Sequence, residues 1–197
     1  MGGDIVDERT SKEDMNEVFK ELGQINSTYG IYYVFGNHDT QPASTDYENG
    51  NRTFSDEELN KTIKDNGIEI LNDKKTTINN DIVLVGRSDA QWNGENNRIE
   101  IDKMLNESDL SKYVVVLDHQ PINYEENSRQ GADLQISGHS HGGQLFPYSI
   151  MEKSMGYLIY GEYHFGDMEQ IVSSGLTGWG WPMRNEAKCE YVLINIT

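Results

Sequence analysis

The chain has a single cysteine, Cys189, so no disulfide can form within it and the fold must rest on an apolar core, a bound metal, or both. Cys189 itself reads as a small buried hydrophobe in a terminal strand rather than a reactive thiol. Basic residues are scarce: 16 Lys and Arg stand against 33 Asp and Glu, a formal charge of −17. Such a surface repels phosphate backbones and anionic membranes, so no nucleic acid is expected as a partner. A small phosphorylated substrate stays open, because bound divalent cations invert the charge of their own site. Long apolar runs are missing too. Stretches such as residues 114–117 are strand-sized, against the roughly 20 residues that a membrane helix needs. Met1-Gly2 is no myristoylation signal, since Val6 stands where that motif wants Ser or Thr. As written, the chain reads as cytoplasmic, with no membrane contact of its own. Neither a Gly-x-Ser-x-Gly elbow nor an activated cysteine is present, so nothing points to a covalent intermediate.

What is there fits one domain over residues 1–197. Ser11 followed by Asp14 and by apolar Met15, Val18, Phe19 and Leu22 predicts a capped amphipathic helix that Gly23 ends. Ser55 with Glu58 predicts a second, marked by Leu59 and Ile63 and stopped at Gly67. Residues 41–53 read as a polar loop or small lid. Strands are expected at 31–35, 68–71, 75–78, 81–85, 113–117 and 133–136, with 75–78 and 81–85 forming a hairpin, and a weak helix at 101–105. The tail from Gly156 alternates strands with Gly-rich turns and ends on an apolar strand at 191–196. Helix and strand alternation followed by strand-rich sequence predicts an α/β sandwich of two mixed sheets flanked by helices.

Three of these strands end in residues that bind metals: Asn37-His38-Asp39, Asp118-His119 and His139-Ser140-His141. Ligands of α/β proteins gather at the carboxyl ends of strands. Four of the five histidines fall at these ends, which core histidines scattered at random would not do. His139 and His141 point the same way if strand geometry persists through them, and Gly142-Gly143 lets backbone approach a ligand closely. No Lys follows to make that turn a P-loop. Arg87 and Asp89 either help shape the site or form a surface ion pair, with the ion pair the favoured reading, and His164 reads as structural. The run from Gly178 to Pro182 is either a substrate-facing aromatic loop or a packed turn.

The ordered set Gly3-Asp4-Ile5-Val6-Asp7, then Gly36-Asn37-His38-Asp39, then His119, then Gly138-His139-Ser140-His141 resembles the signature of calcineurin-like metallophosphoesterases. The extended Gly-His-Ser-His-Gly-Gly-Gln form, His119-Gln120-Pro121 and the tail from Val172 to Arg184 resemble a bacterial branch often tethered at membranes. The resemblance implies the metallophosphoesterase fold and hydrolysis of phosphomonoesters or phosphodiesters at a dinuclear centre of divalent Mn, Fe, Zn or Mg. It casts Asp4 as the bridging carboxylate, with Asn37, His119 and His139 as further ligands of one ion and His141 as a ligand of the other. His38 is cast as a catalytic histidine that contacts the phosphate and protonates the leaving oxygen, oriented by Asp7.

One part of that signature has no counterpart: an Asp-x-His motif on a strand before Gly3-Asp4. The expectation is therefore an N-terminally truncated domain, lacking its first strand or strands and holding one ion rather than two. A misassigned start, a fragment and a real loss would all produce it. The rival to an active hydrolase is then a catalytically impaired module that binds a single metal. If an upstream anchor or export signal exists, the full-length protein is membrane-associated or extracytoplasmic instead of cytoplasmic.

Overall fold

In the computed structural model, which describes residues 1–40, 53–93, 97–180 and 183–196, helix α1 (Lys12–Leu22) begins where Ser11 accepts a hydrogen bond from the Asp14 N–H. Its Met15 and Phe19 turn inward. Helix α2 (Asp56–Asp65) carries the complete reciprocal cap between Ser55 and Glu58 and buries Leu59 and Ile63. Both helices cover a two-stranded parallel sheet, β1 (Ile31–Tyr33) and β2 (Ile68–Ile70), in one apolar cluster that includes Tyr33, Ile68 and Ile70.

A six-stranded sheet lies behind it: β3 (Lys74–Ile78), β4 (Ile82–Gly86), β5 (Tyr113–Leu117), β6 (Leu134–Ser137), β7 (Gly161–Phe165) and β8 (Met168–Val172), in the order β3-β4-β5-β6-β8-β7. The inner strands β4, β5, β6 and β8 run parallel. The two edges, β3 and β7, are antiparallel to their neighbours. Because successive side chains alternate, Leu84, Val115 and Leu117 meet Val34 and Leu71 near the small sheet, while Val83, Val85, Val114 and Val116 form a second cluster on the opposite face. Ile101 and Met104 of α4 (Ile101–Met104) close that opposite face. The result is the two-sheet α/β sandwich with outer helices, with the smaller sheet purely parallel rather than mixed. Beside β1, the Val34 N–H donates to the Met1 carbonyl at 3.2 Å, so the chain before Gly3 runs along that strand.

Three short helices complete the set among the described residues: α3 (Ala90–Asn93), α5 (Tyr124–Arg129) and α6 (Tyr148–Ser154). Tyr124 stacks on Phe165 at 4.2 Å, but α6 buries none of its residues.

The expected final strand does not form. Tyr191 and Leu193 are 83% and 78% exposed, and only Ile194 of that stretch packs against the inner core. An apolar composition supplies no backbone partner by itself, and this stretch pairs with neither edge strand of the large sheet, β3 or β7. Cys189 is accordingly exposed rather than buried. Arg87 and Asp89 are buried, not a surface pair: Arg87 donates to the Ile99 carbonyl, and Asp89 accepts from Gln120 at 2.8 Å. Residues 41–52 of the expected polar loop lie outside the described residues.

Candidate metal centre

Two glycines let the first two motifs cross. Gly3 has φ +92°, and a Cβ there would fall 2.5 Å from the Gly36 nitrogen, while one at Gly36 would run into the Asp4 carboxylate. Across that contact Asp39 acts as a hub. Its buried carboxylate accepts from the N–H groups of Asp4 (2.7 Å), Gly36 (2.8 Å), Ile5 and Val6 (both 3.2 Å). Burial, then the neighbouring Asp4, push its pKa up to about 6, against the pull of those N–H donors. In return the His38 N–H donates to Asp4 Oδ1 at 2.8 Å. Asp4 and His139 are both held at positive φ, +55° and +71°, a conformation that costs a non-glycine residue about 1 kcal/mol or more and recurs at functional sites.

Asp4, His119 and His139 bring one donor atom each to within 4.8 Å of one another. The His119 and His139 rings meet edge to face at 5.2 Å. His119 donates its Nδ1–H to the Gly2 carbonyl at 2.7 Å, so its Nε2 carries a lone pair. That buried nitrogen lies 2.9 Å from Asp4 Oδ2, close enough for an ion pair but without a directed hydrogen bond. Two electron-rich atoms facing each other in a buried site require a cation between or upon them. With a proton there, burial lowers the His119 pKa but Asp4 and the Gly2 carbonyl more than offset it, raising it to about 9. Asp4 is correspondingly held below the usual carboxylate range: burial raises it, and His119 and the His38 N–H outweigh that. One carboxylate oxygen with two imidazole nitrogens is the donor chemistry of a borderline divalent ion such as zinc, manganese or iron, so the residues fit a metal.

The remaining candidates fall as follows. Asn37 is buried, and its Oδ1 accepts the His139 Nδ1–H at 2.9 Å, leaving Nε2 as that ring's lone pair. Burial and the nearby His119 lower the His139 pKa to about 4, so the ring is neutral at neutral pH. His141 is not carried alongside His139 by strand geometry. The strand ends at Ser137, and His141 opens a single 3-10 turn over His141–Gly143. Its Nδ1–H donates to the Thr177 carbonyl at 3.1 Å, outside the three-donor cluster. His38 donates its Nδ1–H to Glu8 Oε2 at 3.2 Å. The carboxylate beside His38 is therefore Glu8 and not Asp7, which instead accepts from the Thr10 hydroxyl (2.7 Å) and the Arg9 N–H (2.9 Å) in its own turn.

Three positions matter more than their sequence context suggested. Asp89 anchors Gln120, which lines the site. Gln144 grips the Trp179 backbone twice, accepting its N–H at 2.7 Å and donating to its carbonyl at 2.8 Å. The Arg184 guanidinium donates to the carbonyls of His141, Ser174, Gly175 and Thr177, tying the tail to the His141 turn. Trp179 lines the cleft and lies 5.8 Å from the His38 ring, so that loop faces the site; Trp181 and Pro182 lie outside the described residues.

The cluster opens into a cleft of about 700 Å³. Asp4, His38, His139 and His141 line its floor.

A two-sheet α/β fold that packs Asp4 against Gly36, beyond the end of β1, and sets it beside His119 and His139, just past the carboxyl ends of β5 and β6, offers the donor set of a metal-binding protein. The chain belongs to the calcineurin-like phosphoesterase family, whose model matches residues 1–143. It is 34% identical over 202 residues to an uncharacterized metallophosphoesterase of Helicobacter pylori, covering 100% of this chain and 50% of that one. It is 32% identical over 200 residues to one of Campylobacter jejuni, covering 98% and 49%. A metallophosphoesterase of Aquifex aeolicus is 28% identical over 204 residues, covering 98% and 70%. The chain thus spans about half the length of the first two relatives. No helix among the described residues is long and apolar enough to cross a membrane.

Proposed function

We propose that this chain hydrolyses phosphomonoesters or phosphodiesters of small molecules with divalent metal bound at Asp4, His119 and His139. The observation that carries the reading is the tautomer shared by three imidazoles. His119, His139 and His141 each donate Nδ1–H to a carbonyl or amide oxygen and so present Nε2 as a lone pair. Metal-binding histidines are oriented by such a bond on the other ring nitrogen. When bound, a divalent ion supplies charge that polarises a phosphoryl oxygen and lowers the pKa of water. The protein's own groups do the rest. Asp39 and the glycine crossing hold Asp4 in place, and Asn37 orients His139. Glu8 holds the His38 ring through Nδ1, leaving Nε2 to pass a proton to the leaving oxygen when the ring is protonated.

In this reading Asp4 would be a ligand of two ions and His141 a ligand of the second. A single-ion module is the alternative, favoured by the position of His141 outside the three-donor cluster. Metal analysis of the purified chain, combined with hydrolysis of p-nitrophenyl phosphate and bis-p-nitrophenyl phosphate in Mn, Zn, Fe and Mg, separates them. Turnover with two ions per chain supports the hydrolase, and one ion without turnover supports the module. Unchanged metal content in both His119→Ala and His139→Ala would sink either reading.

A further inference from the structure

The cleft is far larger than a phosphoryl group: 700 Å³ is the size of a site that encloses a whole small molecule. Its walls beyond the metal floor are largely apolar, with Pro121 and Ile122 among them together with Leu145, Tyr148, Tyr157 and Leu158. No lysine or arginine lines it among the described residues, so nothing there would hold a second phosphate. That argues against nucleoside polyphosphates and oligonucleotides. The wall's one carboxylate, Glu152, has a buried Oε2 with no hydrogen-bond partner among the described residues and suits a neutral hydroxyl of the ligand.

The apolar wall does not stop at the rim. On α6, Tyr148 and Glu152 line the cleft, and helix spacing places Met151 and Met155 on the same face, at i+3 and i+7 from Tyr148. Both methionines are exposed, and α6 buries no residue of its own. Methionine is flexible and polarizable, suited to chains without fixed shape.

We infer that the substrate is an amphipathic phosphoester: its phosphate sits on the metal floor and an aliphatic chain runs along the wall made by Leu145, Tyr148 and Tyr157 and out over Met151 and Met155. This rests on the hydrolase reading above and narrows its substrate.

The test is a homologous series below the micelle concentration, in saturating Mn: methyl, butyl and octyl p-nitrophenyl phosphate, the matching alkyl monophosphates, and thymidine 5′-p-nitrophenyl phosphate. Each methylene buried should raise kcat/KM about fourfold, so burial of only four of the seven extra methylenes gives octyl over methyl a ratio of at least about 10². Tyr148→Glu, at an exposed position, should cut that ratio at least tenfold through an uncompensated charge on the apolar wall. A ratio near one, or a thymidine ester outrunning the octyl ester, overturns the inference and leaves the hydrolase standing. If no ester turns over, the hydrolase reading fails instead. The wall is then judged by calorimetry with methyl- and octylphosphonate, where tighter octyl binding that Tyr148→Glu abolishes supports it and equal affinity overturns it.

Discussion

The two walls of the cleft are built on opposite plans. On the metal side, Asp4, Asn37, Asp39, His119 and His139 are held by partly buried hydrogen bonds that cross between chain segments more than thirty residues apart. On the far side, α6 turns Tyr148 to the cleft and leaves Tyr148, Met151 and Met155 exposed. The difference follows from what each wall holds. A metal needs donors fixed to within tenths of an ångström, so every polar group around it is over-determined. An apolar group needs only surface, so α6 can stand on the opposite wall with none of its residues buried, tied through Ser149 to Glu186.

The strongest way to break that contrast is at its hub. Asp39→Ala would leave four N–H groups without their acceptor, those of Val6 and Gly36 buried and those of Asp4 and Ile5 partly so, each buried orphan costing about 1–3 kcal/mol. We expect a loss of at least about 4 kcal/mol in urea unfolding, together with loss of bound metal. A loss below about 1 kcal/mol would mean that the metal side is no more constrained than the far side.

His38 sharpens the contrast within the metal side, since it is placed by Asp4 and Glu8 yet stands outside the three-donor cluster. His38→Ala should retain metal while slowing turnover by about 10² to 10⁴-fold for poor leaving groups, and less for nitrophenol. Glu8→Gln, which keeps the hydrogen bond and removes the charge, should cost about tenfold. Asp7→Asn should cost almost nothing, because that carboxylate is spent on Thr10 and Arg9.

A smaller effect concerns pH. The His119 pKa is raised from 6.5 to about 9 by Asp4 in the metal-free chain. A raised basic group stabilises the fold fully below its unfolded pKa, and that contribution is lost as pH rises through its folded value. Metal in place of the proton is not lost that way. The melting temperature of the metal-free chain should therefore fall between pH 6.5 and 9, and the gap between metal-bound and metal-free chains should widen over the same window. A gap that narrows as pH rises would contradict the pairing of Asp4 with His119.

These two plans also explain what was legible beforehand. Helices α1 and α2 announce themselves because Ser11 and Ser55 cap them locally, and β4 and β5 because their β-branched runs are buried on both faces. That His119 and His139 would meet followed from ligand residues at strand ends, while Asp4 joined them only through the family resemblance. What stayed hidden depended on distant partners or on the path of a turn. Thr10 captures the Asp7 carboxylate, and Glu8 is the one that reaches the His38 ring. His141 diverges from His139 because the strand stops at Ser137 and His139 takes a positive φ, which no two-residue spacing can report. Residues 191–196 look like a strand by composition, but composition does not bring a segment alongside an edge strand, and this stretch pairs with neither β3 nor β7.

The smallest expected effect tests the far wall directly. Ile150 is 59% exposed and sits two residues beyond Tyr148, so on a helix it points away from the face that Tyr148 and Glu152 turn to the cleft. If α6 is a surface for ligand rather than part of the core, Ile150→Ser removes an exposed side chain and should change unfolding free energy by less than about 0.5 kcal/mol. Val116→Ser, on a fully buried strand of the central sheet, should cost at least about 2 kcal/mol by comparison, through lost burial and a hydroxyl with no partner. Urea titrations of the two variants give the ratio. Similar costs would show that α6 is packed into the fold in solution, and the division of the cleft into two differently built walls would fall.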